Sequence, residues 1–156
     1  LNRYFETLGE AIAAHDGQIL KFMGDGLLAV FPIVGEGERA SIHGAALQAA
    51  IRARANLATL NAALAAENRK QIDFGIGLHT GSVAFGNIGT GTRLDFTVIG
   101  PAVNQASRIQ DLTKELREPI LASGDFVEAL KRPLRLVGAR ALRGVEKPVE
   151  LFAPLA

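Results

Sequence analysis

The chain has 156 residues, of which 48% are hydrophobic and 21% are charged, a composition typical of one compact domain with a substantial core. The net charge is +1, and the Lys and Arg residues are dispersed without interleaved aromatics, which argues against a nucleic-acid partner. Cysteine is absent, which excludes disulfides and thiolate metal ligands and suits the reducing cytoplasm, where we expect the domain to work.

The beginning of the chain predicts a helix followed by a hairpin. Apolar residues at helical spacing predict a helix up to about Ala14, and we expect it to end where Gly17 takes the left-handed conformation. Two short apolar runs, residues 18–23 and 27–31, then predict strands. The glycines within residues 24–26 predict a tight turn between them.

A long helix and a second hairpin follow. Residues 38–68 are rich in alanine and carry apolar residues at helical spacing, which predicts one long helix. Residues 72–79 and 82–85 are apolar or alternating around Thr80-Gly81, so we expect them to pair as a hairpin. We interpret the glycine-rich residues 86–91 as a hairpin tip, because a phosphate-binding loop would need a following Gly-Lys-Ser/Thr and a helix.

The remaining elements complete an α+β pattern. Residues 94–99 are extended in character, and Pro101 is typical of the first position of a helix, here one that carries Asn104 and Arg108 one turn apart on one face. The last part predicts short strands near Ile120, Leu134 and Val149 and a small helix from Asp125 to Leu130. We therefore expect a mostly antiparallel sheet covered by helices.

Several polar residues need an explanation, although each has a plain structural reading. Asp25 between two glycines is typical of a turn former, and Lys21 is compatible with a solvated strand residue. Asn104 and Arg108 are compatible with a pair on a helix surface. The three histidines, His15, His43 and His79, are too scattered for a metal cluster, so we assign them no chemical role.

Three segments in this order carry a family resemblance: GQILKFMGDG at residues 17–26, FTVIGPAVNQASR at 96–108 and LRGVEKPVELF at 142–152. With the stretches GIGLHTG at 75–81 and GNIG at 86–89, they closely resemble the class III nucleotidyl cyclase catalytic domain over nearly the whole chain. The resemblance implies the ferredoxin-like α+β fold of adenylyl and guanylyl cyclases, as a single catalytic domain spanning residues 1–156.

The resemblance also implies a reaction and its metal ions. In this family the ribose 3′-hydroxyl of a nucleoside triphosphate attacks the α-phosphorus and expels pyrophosphate, assisted by two Mg²⁺ or Mn²⁺ ions per site. Two aspartates from adjacent strands hold the metal pair, in keeping with the preference of these hard cations for oxygen ligands. Asp25 matches the second of these aspartates.

Further roles follow from the same alignment. Asn104 matches the residue that orients the ribose, and Arg108 matches the residue that meets the charge developing at the α-phosphate. Arg143 stands where better-known members have a lysine that binds the terminal phosphates, so the residue type differs while the positive charge is retained.

The choice of base is expected to depend on Lys21 and Thr97. Lys21 can only donate, which suits adenine N1, while the Thr97 hydroxyl can accept from the adenine amino group, so ATP is favoured over GTP. A lysine with a threonine also looks like the subclass that includes bicarbonate-responsive adenylyl cyclases. The alternative for Thr97 is a strand residue chosen for its shape.

Members of this family act as head-to-tail homodimers, and the expected division puts the metal aspartate on one subunit and the other site residues on its partner. The family begins with a strand that bears its first metal aspartate, and nothing before Leu1 supplies it. We therefore expect a fragment of a longer adenylyl cyclase with an upstream regulatory domain, catalytically deficient or domain-swapped when alone. No apolar stretch approaches the roughly 20 residues of a membrane-spanning helix, although the parent protein could be membrane-bound.

Two other functions stay open at this point. A non-catalytic cyclase-like module could bind nucleotide or dimerise to relay a signal, although the presence of Asp25, Asn104 and Arg108 argues against degeneration. A guanylyl cyclase would typically replace Lys21 and Thr97 with residues of opposite hydrogen-bonding character, and neither replacement is present.

Overall fold

The structure, a computed structural model, describes residues 2–23, 26–88 and 95–155. The chain divides into two compact units, Leu1–Ile76 and Gly77–Ala156. The elements, in chain order, are α1 (Asn2–Ala14), β1 (Gln18–Met23), β2 (Gly26–Val30), α2 (Arg39–Ala66), β3 (Ile76–Leu78), β4 (Ala84–Ile88), β5 (Asp95–Ile99), α3 (Pro101–Leu116), β6 (Ile120–Ser123), α4 (Gly124–Leu130), β7 (Arg135–Arg140) and β8 (Val149–Ala153).

The first helix ends where the sequence predicts, but through a different residue. Asp16, not Gly17, has the positive φ, at 66°. Gly17 is needed for space instead, because a Cβ atom there would lie 2.5 Å from the Phe31 ring. The expectation that Gly17 supplies the left-handed conformation is therefore wrong. Aspartate tolerates this conformation better than most side chains do.

The predicted first hairpin is confirmed. β1 and β2 pair antiparallel, from Gln18 opposite Val30 to Met23 opposite Gly26, with a register shift between Ile19 and Lys21. The connection falls on residues 24–25, which lie outside the described residues.

The long helix is also confirmed, as the 28-residue α2, preceded by a short 3-10 turn, Glu36–Glu38. Its Ala53 packs against Tyr4, Leu8 and Ala11 of α1, and this cluster forms part of the core of the first unit. Farther along α2, a second cluster consists of Leu57, Leu60 and Leu64, packed against Ile72 and Phe74.

Polar side chains of α2 hold the chain that follows it. Asn61 Nδ2 donates to the Ile72 carbonyl at 2.7 Å, and the Ile72 amide donates to Asn61 Oδ1 at 2.8 Å. Arg54 donates to Asp73 Oδ1 at 2.7 Å and to the Phe74 carbonyl at 2.6 Å. Three of these bonds satisfy backbone groups of Ile72 and Phe74, which lie between α2 and β3 and have no partner in a helix or strand ladder.

The second unit contains a four-stranded sheet in the order β3-β6-β8-β7 and a separate two-stranded hairpin of β4 and β5. The predicted pairing of residues 72–79 with 82–85 is therefore wrong, because β3 lies beside β6 and β4 pairs with β5. The last strand, β8, pairs antiparallel with both β6 and β7. The sheet thus joins segments from both ends of the unit.

The glycine-rich stretch does separate two paired strands. β4 and β5 run antiparallel, from Ala84 opposite Ile99 to Ile88 opposite Asp95. Residues 86–88 belong to β4, and the connection at 89–94 lies outside the described residues.

The core of the second unit lies between α3 and the four-stranded sheet. Its buried members are Ile109, Leu121, Leu142 and Leu151. They come from α3, β6, the loop before β8 and β8 itself, so distant parts of the unit meet here. No helix in the described part of the chain is long and apolar enough to cross a membrane.

Candidate active site

The helix α3 carries two of the predicted site residues. It begins after Gly100, whose φ of +150° favours glycine, and Pro101 occupies its first turn as expected. Asn104 and Arg108 follow four residues apart, so their side chains share one face of the helix. Asn104 is exposed and Arg108 is half-buried, which leaves both accessible to a ligand.

The position of α3 is determined by a close backbone contact with the segment that includes β3. A Cβ atom built on Gly77 would lie 2.7 Å from the Ala106 carbonyl oxygen and 2.6 Å from the Gln110 amide nitrogen. At Gly81 the same test meets the Ala102 Cβ at 2.8 Å. Glycine at both positions therefore lets α3, which carries Asn104 and Arg108, lie directly against this segment.

Arg108 contacts the third predicted residue of this unit. Its Nη1 donates to the carbonyl oxygen of Arg143 at 3.2 Å, across 35 residues of sequence. Arg143 stands in a turn that the Val145 amide closes onto the Leu142 carbonyl at 3.1 Å, and Gly144 supplies the positive φ of 85°. Because Leu142 and Ile109 are buried in one core, the residues next to them in sequence, Arg143 and Arg108, are held side by side.

His79 has a position that the sequence analysis missed. Its Nδ1 shares a hydrogen bond of 2.7 Å with Oγ of Ser123, the last residue of β6. Burial lowers the pKa of His79 below its ordinary value, while the charge of Asp125 and a hydrogen bond with Gln105 oppose that shift. His79 is therefore neutral at neutral pH and links β3, β6 and α3. The signal available in the sequence was the alternation of Gly77, His79 and Gly81.

The other predicted residues are not brought together with this group. Lys21 lies in the first unit, on β1 opposite Leu28, and its side chain is exposed. Thr97 lies on β5, where its backbone pairs with Gly86, and its side chain is outside the described part of the structure. Asp25 falls on undescribed residues altogether. The structure thus joins Arg108 with Arg143 and leaves the roles of Lys21, Asp25 and Thr97 as predictions.

Within residues 2–23, 26–88 and 95–155, no group of three or more histidine, aspartate or glutamate side chains is placed to hold a metal ion. Asp25, the predicted metal ligand, lies outside these residues.

A shallow groove of about 370 Å³ lies elsewhere, between α2 and the chain that follows it. It is lined by residues such as Arg54, Asn61 and Asp73, which are already engaged in the hydrogen bonds that hold this segment. The Arg54 hydrogen bond also lowers the pKa of the Asp73 carboxyl. None of the predicted site residues lines this groove.

Comparison with known families matches residues 1–148 to the adenylate and guanylate cyclase catalytic domain. Among curated relatives, Adenylate cyclase 1 of Rhizobium meliloti (strain 1021) is 33% identical over 97% of this chain. Adenylate cyclase of Anabaena cylindrica is 36% identical, also over 97%. The chain spans only 23% and 31% of the lengths of these two relatives.

Solved structures agree with the predicted fold. The adenylyl cyclase CyaB from P. aeruginosa superposes with a TM-score of 0.85 at 28% identity, covering 97% of this chain and 78% of that one. The guanylyl cyclase Cya2 gives a TM-score of 0.83 at 29% identity, covering 97% and 76%. The expected α+β fold of a class III cyclase is therefore confirmed.

Proposed function

Because the chain belongs to the family of adenylate and guanylate cyclase catalytic domains, we propose that it converts ATP into 3′,5′-cyclic AMP and pyrophosphate. The observation that carries this proposal is the hydrogen bond between Arg108 and Arg143, one helical turn from Asn104. It gathers two cationic residues and an amide at one place on the second unit. Such a group suits a ligand that has a ribose next to a chain of phosphates.

Each of these residues has a task in the proposed reaction. The ribose 3′-oxygen forms a bond to the α-phosphorus and its proton passes to water, while the bond from the α-phosphorus to the bridging oxygen breaks to release pyrophosphate. Negative charge grows on the α-phosphate oxygens during this step, and Arg108 stabilises it because a guanidinium keeps its charge at any working pH. Asn104 orients the ribose, and Arg143 binds the terminal phosphates.

Members of the family generally use divalent metal ions. We propose that two Mg²⁺ or Mn²⁺ ions bind at each site and that Asp25 supplies one carboxylate ligand, in keeping with the hard-donor preference of both ions. When bound, the ions would activate the attacking oxygen and neutralise charge on the phosphates.

The choice of ATP is proposed on the chemistry of Lys21 and Thr97. The overall fold does not decide it, because an adenylyl and a guanylyl cyclase resemble this chain about equally well. Lys21 offers only donors, which suits N1 of adenine and not the N–H at the same position of guanine. The Thr97 hydroxyl accepts from the adenine amino group.

Family domains bind nucleotide and typically dimerise. We propose a homodimer with two shared sites, in which residues 1–156 form one catalytic domain and an upstream regulatory domain in the parent protein controls turnover in the cytoplasm. Because Lys21 and Thr97 resemble the residues of bicarbonate-responsive adenylyl cyclases, we also propose bicarbonate as an activator. Turnover at fixed pH should then rise with added bicarbonate, and a flat titration would remove this part of the proposal.

The test is a cyclic nucleotide assay of the full-length protein with ATP or GTP, in Mg²⁺ and separately in Mn²⁺. We expect cyclic AMP from ATP and much less cyclic GMP from GTP. Preference for GTP would show that Lys21 and Thr97 do not select adenine. Binding of ATP without turnover in either metal would overturn the enzyme assignment and favour a non-catalytic signalling module.

A further inference from the structure

His79 faces the helix that carries the proposed catalytic residues. Counting every second residue along the segment after Ile76 gives Gly77, His79 and Gly81, and all three lie against α3. The glycines meet its backbone and Ala102, while His79 meets the side chain of Gln105. Since the two flanking residues have no side chains, His79 is the member of this set that can make a directional polar contact with α3.

The second ring nitrogen ties this contact to the sheet. Nδ1 is engaged with Ser123 Oγ at 2.7 Å. A Cβ atom built on Gly81 would lie 2.8 Å from the Ala102 Cβ of α3 and 3.9 Å from His79 Nε2, so Nε2 is the nitrogen on the side of α3, where Gln105 lies. Ser123 is itself immobilised, because it is 1% exposed and its Oγ accepts from the Phe126 amide at 3.2 Å as the N-cap of α4. One ring therefore spans from a buried serine at the end of β6 to a glutamine on α3.

Gln105 directly follows Asn104 and precedes Arg108 by less than one turn. A restraint on Gln105 therefore limits both rotation and sliding of this part of α3 on the glycine-lined segment. Catalytic groups need to be held to a fraction of an ångström, and a misplacement of about 1 Å can cost up to about 100-fold in rate.

We propose that His79 is a positioning residue, which through Gln105 and Ser123 holds α3 so that Asn104 and Arg108 meet the nucleotide in register. This inference rests on the proposed function. It adds a residue that does not itself touch the substrate.

The two ring nitrogens can be tested separately. In His79→Asn the side-chain amide falls near the position of Nδ1 and retains a partner for Ser123, whereas in His79→Gln it falls near Nε2 and retains a partner for Gln105. His79→Ala loses both. His15→Ala is the matched control, because His15 is also half-buried and also uses Nδ1, toward the Ala11 carbonyl at 2.9 Å in α1.

We expect His79→Ala and His79→Asn to lower kcat about tenfold while KM for ATP changes less than about twofold, since alignment for reaction and not ground-state binding is lost. His79→Gln should retain more of kcat than His79→Asn does, and His15→Ala should match the unsubstituted protein. A purely structural role predicts instead that kcat follows the loss of thermal stability in all three variants, and that result would overturn the proposal.

A second readout is independent of turnover. The side-chain amide resonances of Asn104, recorded by NMR, should move in His79→Ala and His79→Asn and stay in place in His79→Gln and His15→Ala. If the unsubstituted protein forms no cyclic nucleotide, the proposed function fails, and these resonances decide the inference alone. Unchanged Asn104 resonances in His79→Ala and His79→Asn would overturn it.

Discussion

Arg108 illustrates how a single residue gains its role from partners that are distant in sequence. Its guanidinium donates to the Arg143 carbonyl at 3.2 Å, and both residues flank members of one buried core, Ile109 and Leu142. An arginine on a helix surface without such a partner would occupy many rotamers. Ordering it on a ligand would then cost about 1–2 kcal/mol of side-chain conformational entropy. Here part of that ordering is achieved before the nucleotide binds.

Arg108→Ala should reduce kcat by about 100-fold to 1,000-fold, because it removes a donor aimed at charge that develops in the transition state. Arg108→Lys should recover little of this loss, since an ammonium lacks the planar fork of the guanidinium. Steady-state kinetics at saturating ATP measure the effect. Arg132→Ala, an exposed arginine after α4, is the control and should leave kcat unchanged. Equal rates for Arg108→Ala and Arg132→Ala would remove Arg108 from the mechanism.

Two histidines make stability depend on pH. Burial lowers the pKa values of His43 and His79 below 6.5, so the folded state binds fewer protons than the unfolded state below that pH. Their contribution is fully present above about pH 6.5 and is lost as the pH falls toward the folded-state pKa values. Urea unfolding between pH 8 and pH 5 should show this decline, and His79→Asn should make it shallower. The same slope in both proteins would contradict the assignment to His79.

At the scale of elements, α3 and the segment that includes β3 are positioned by contacts that need the absence of side chains. Gly77 touches the α3 backbone at Ala106 and Gln110, and Gly100 starts the helix with a φ of +150°. A helix that packs against a glycine backbone can approach the neighbouring segment more closely than a helix that packs against side chains. The proposed site therefore depends on glycines that have no chemical role of their own.

Gly77→Ala should destabilise the protein by about 1–3 kcal/mol, because the new methyl group overlaps backbone atoms of α3 that cannot move independently. Relieving this overlap would displace α3, and with it Asn104 and Arg108, so kcat should also fall. Thermal unfolding and the cyclase assay measure the two effects. The matched control is Gly37→Ala, where a Cβ atom meets nothing within 4 Å and φ is not positive. A Gly77→Ala protein as stable and active as Gly37→Ala would show that α3 does not require this contact.

At the scale of the whole molecule, the proposed site residues are divided between the two compact units. Lys21 lies in the first unit, and Asn104, Arg108 and Arg143 lie in the second, while Asp25 falls outside the described residues. Since family domains typically dimerise, the proposal of shared sites makes a prediction about mixtures of defective chains.

The Asp25→Ala chain and the Asn104→Ala chain should each be inactive alone. Activity should return when the two chains are co-expressed. Random pairing makes half of the dimers mixed, and each mixed dimer has one intact site of two, so about a quarter of the unsubstituted activity is expected. Cyclic AMP formation by the co-purified protein is the measurement. Co-expression of Asn104→Ala with Arg108→Ala is the control, because both changes fall on the same side of the shared site. Equal outcomes in the two mixtures would refute the proposed division.

Much of the secondary structure was decided by the local sequence. The apolar spacing of α2 and α3, Pro101 at a helix start and the short runs of β1 and β2 predict their elements correctly, because helical periodicity and turn chemistry act over a few residues. The family was also recognisable from residues 17–26, 96–108 and 142–152, and the comparisons confirm it.

Only the tertiary structure decided which segments meet. The strand at residues 76–78 pairs with β6 and not with the segment after Thr80-Gly81. The local sequence of a strand indicates that it can be extended but does not specify which other strand it pairs with. The contacts of Arg108 with Arg143 and of His79 with Ser123 join residues 35 and 44 positions apart. Such contacts arise from the burial of a shared core, which is a property of the folded chain and not of any stretch within it.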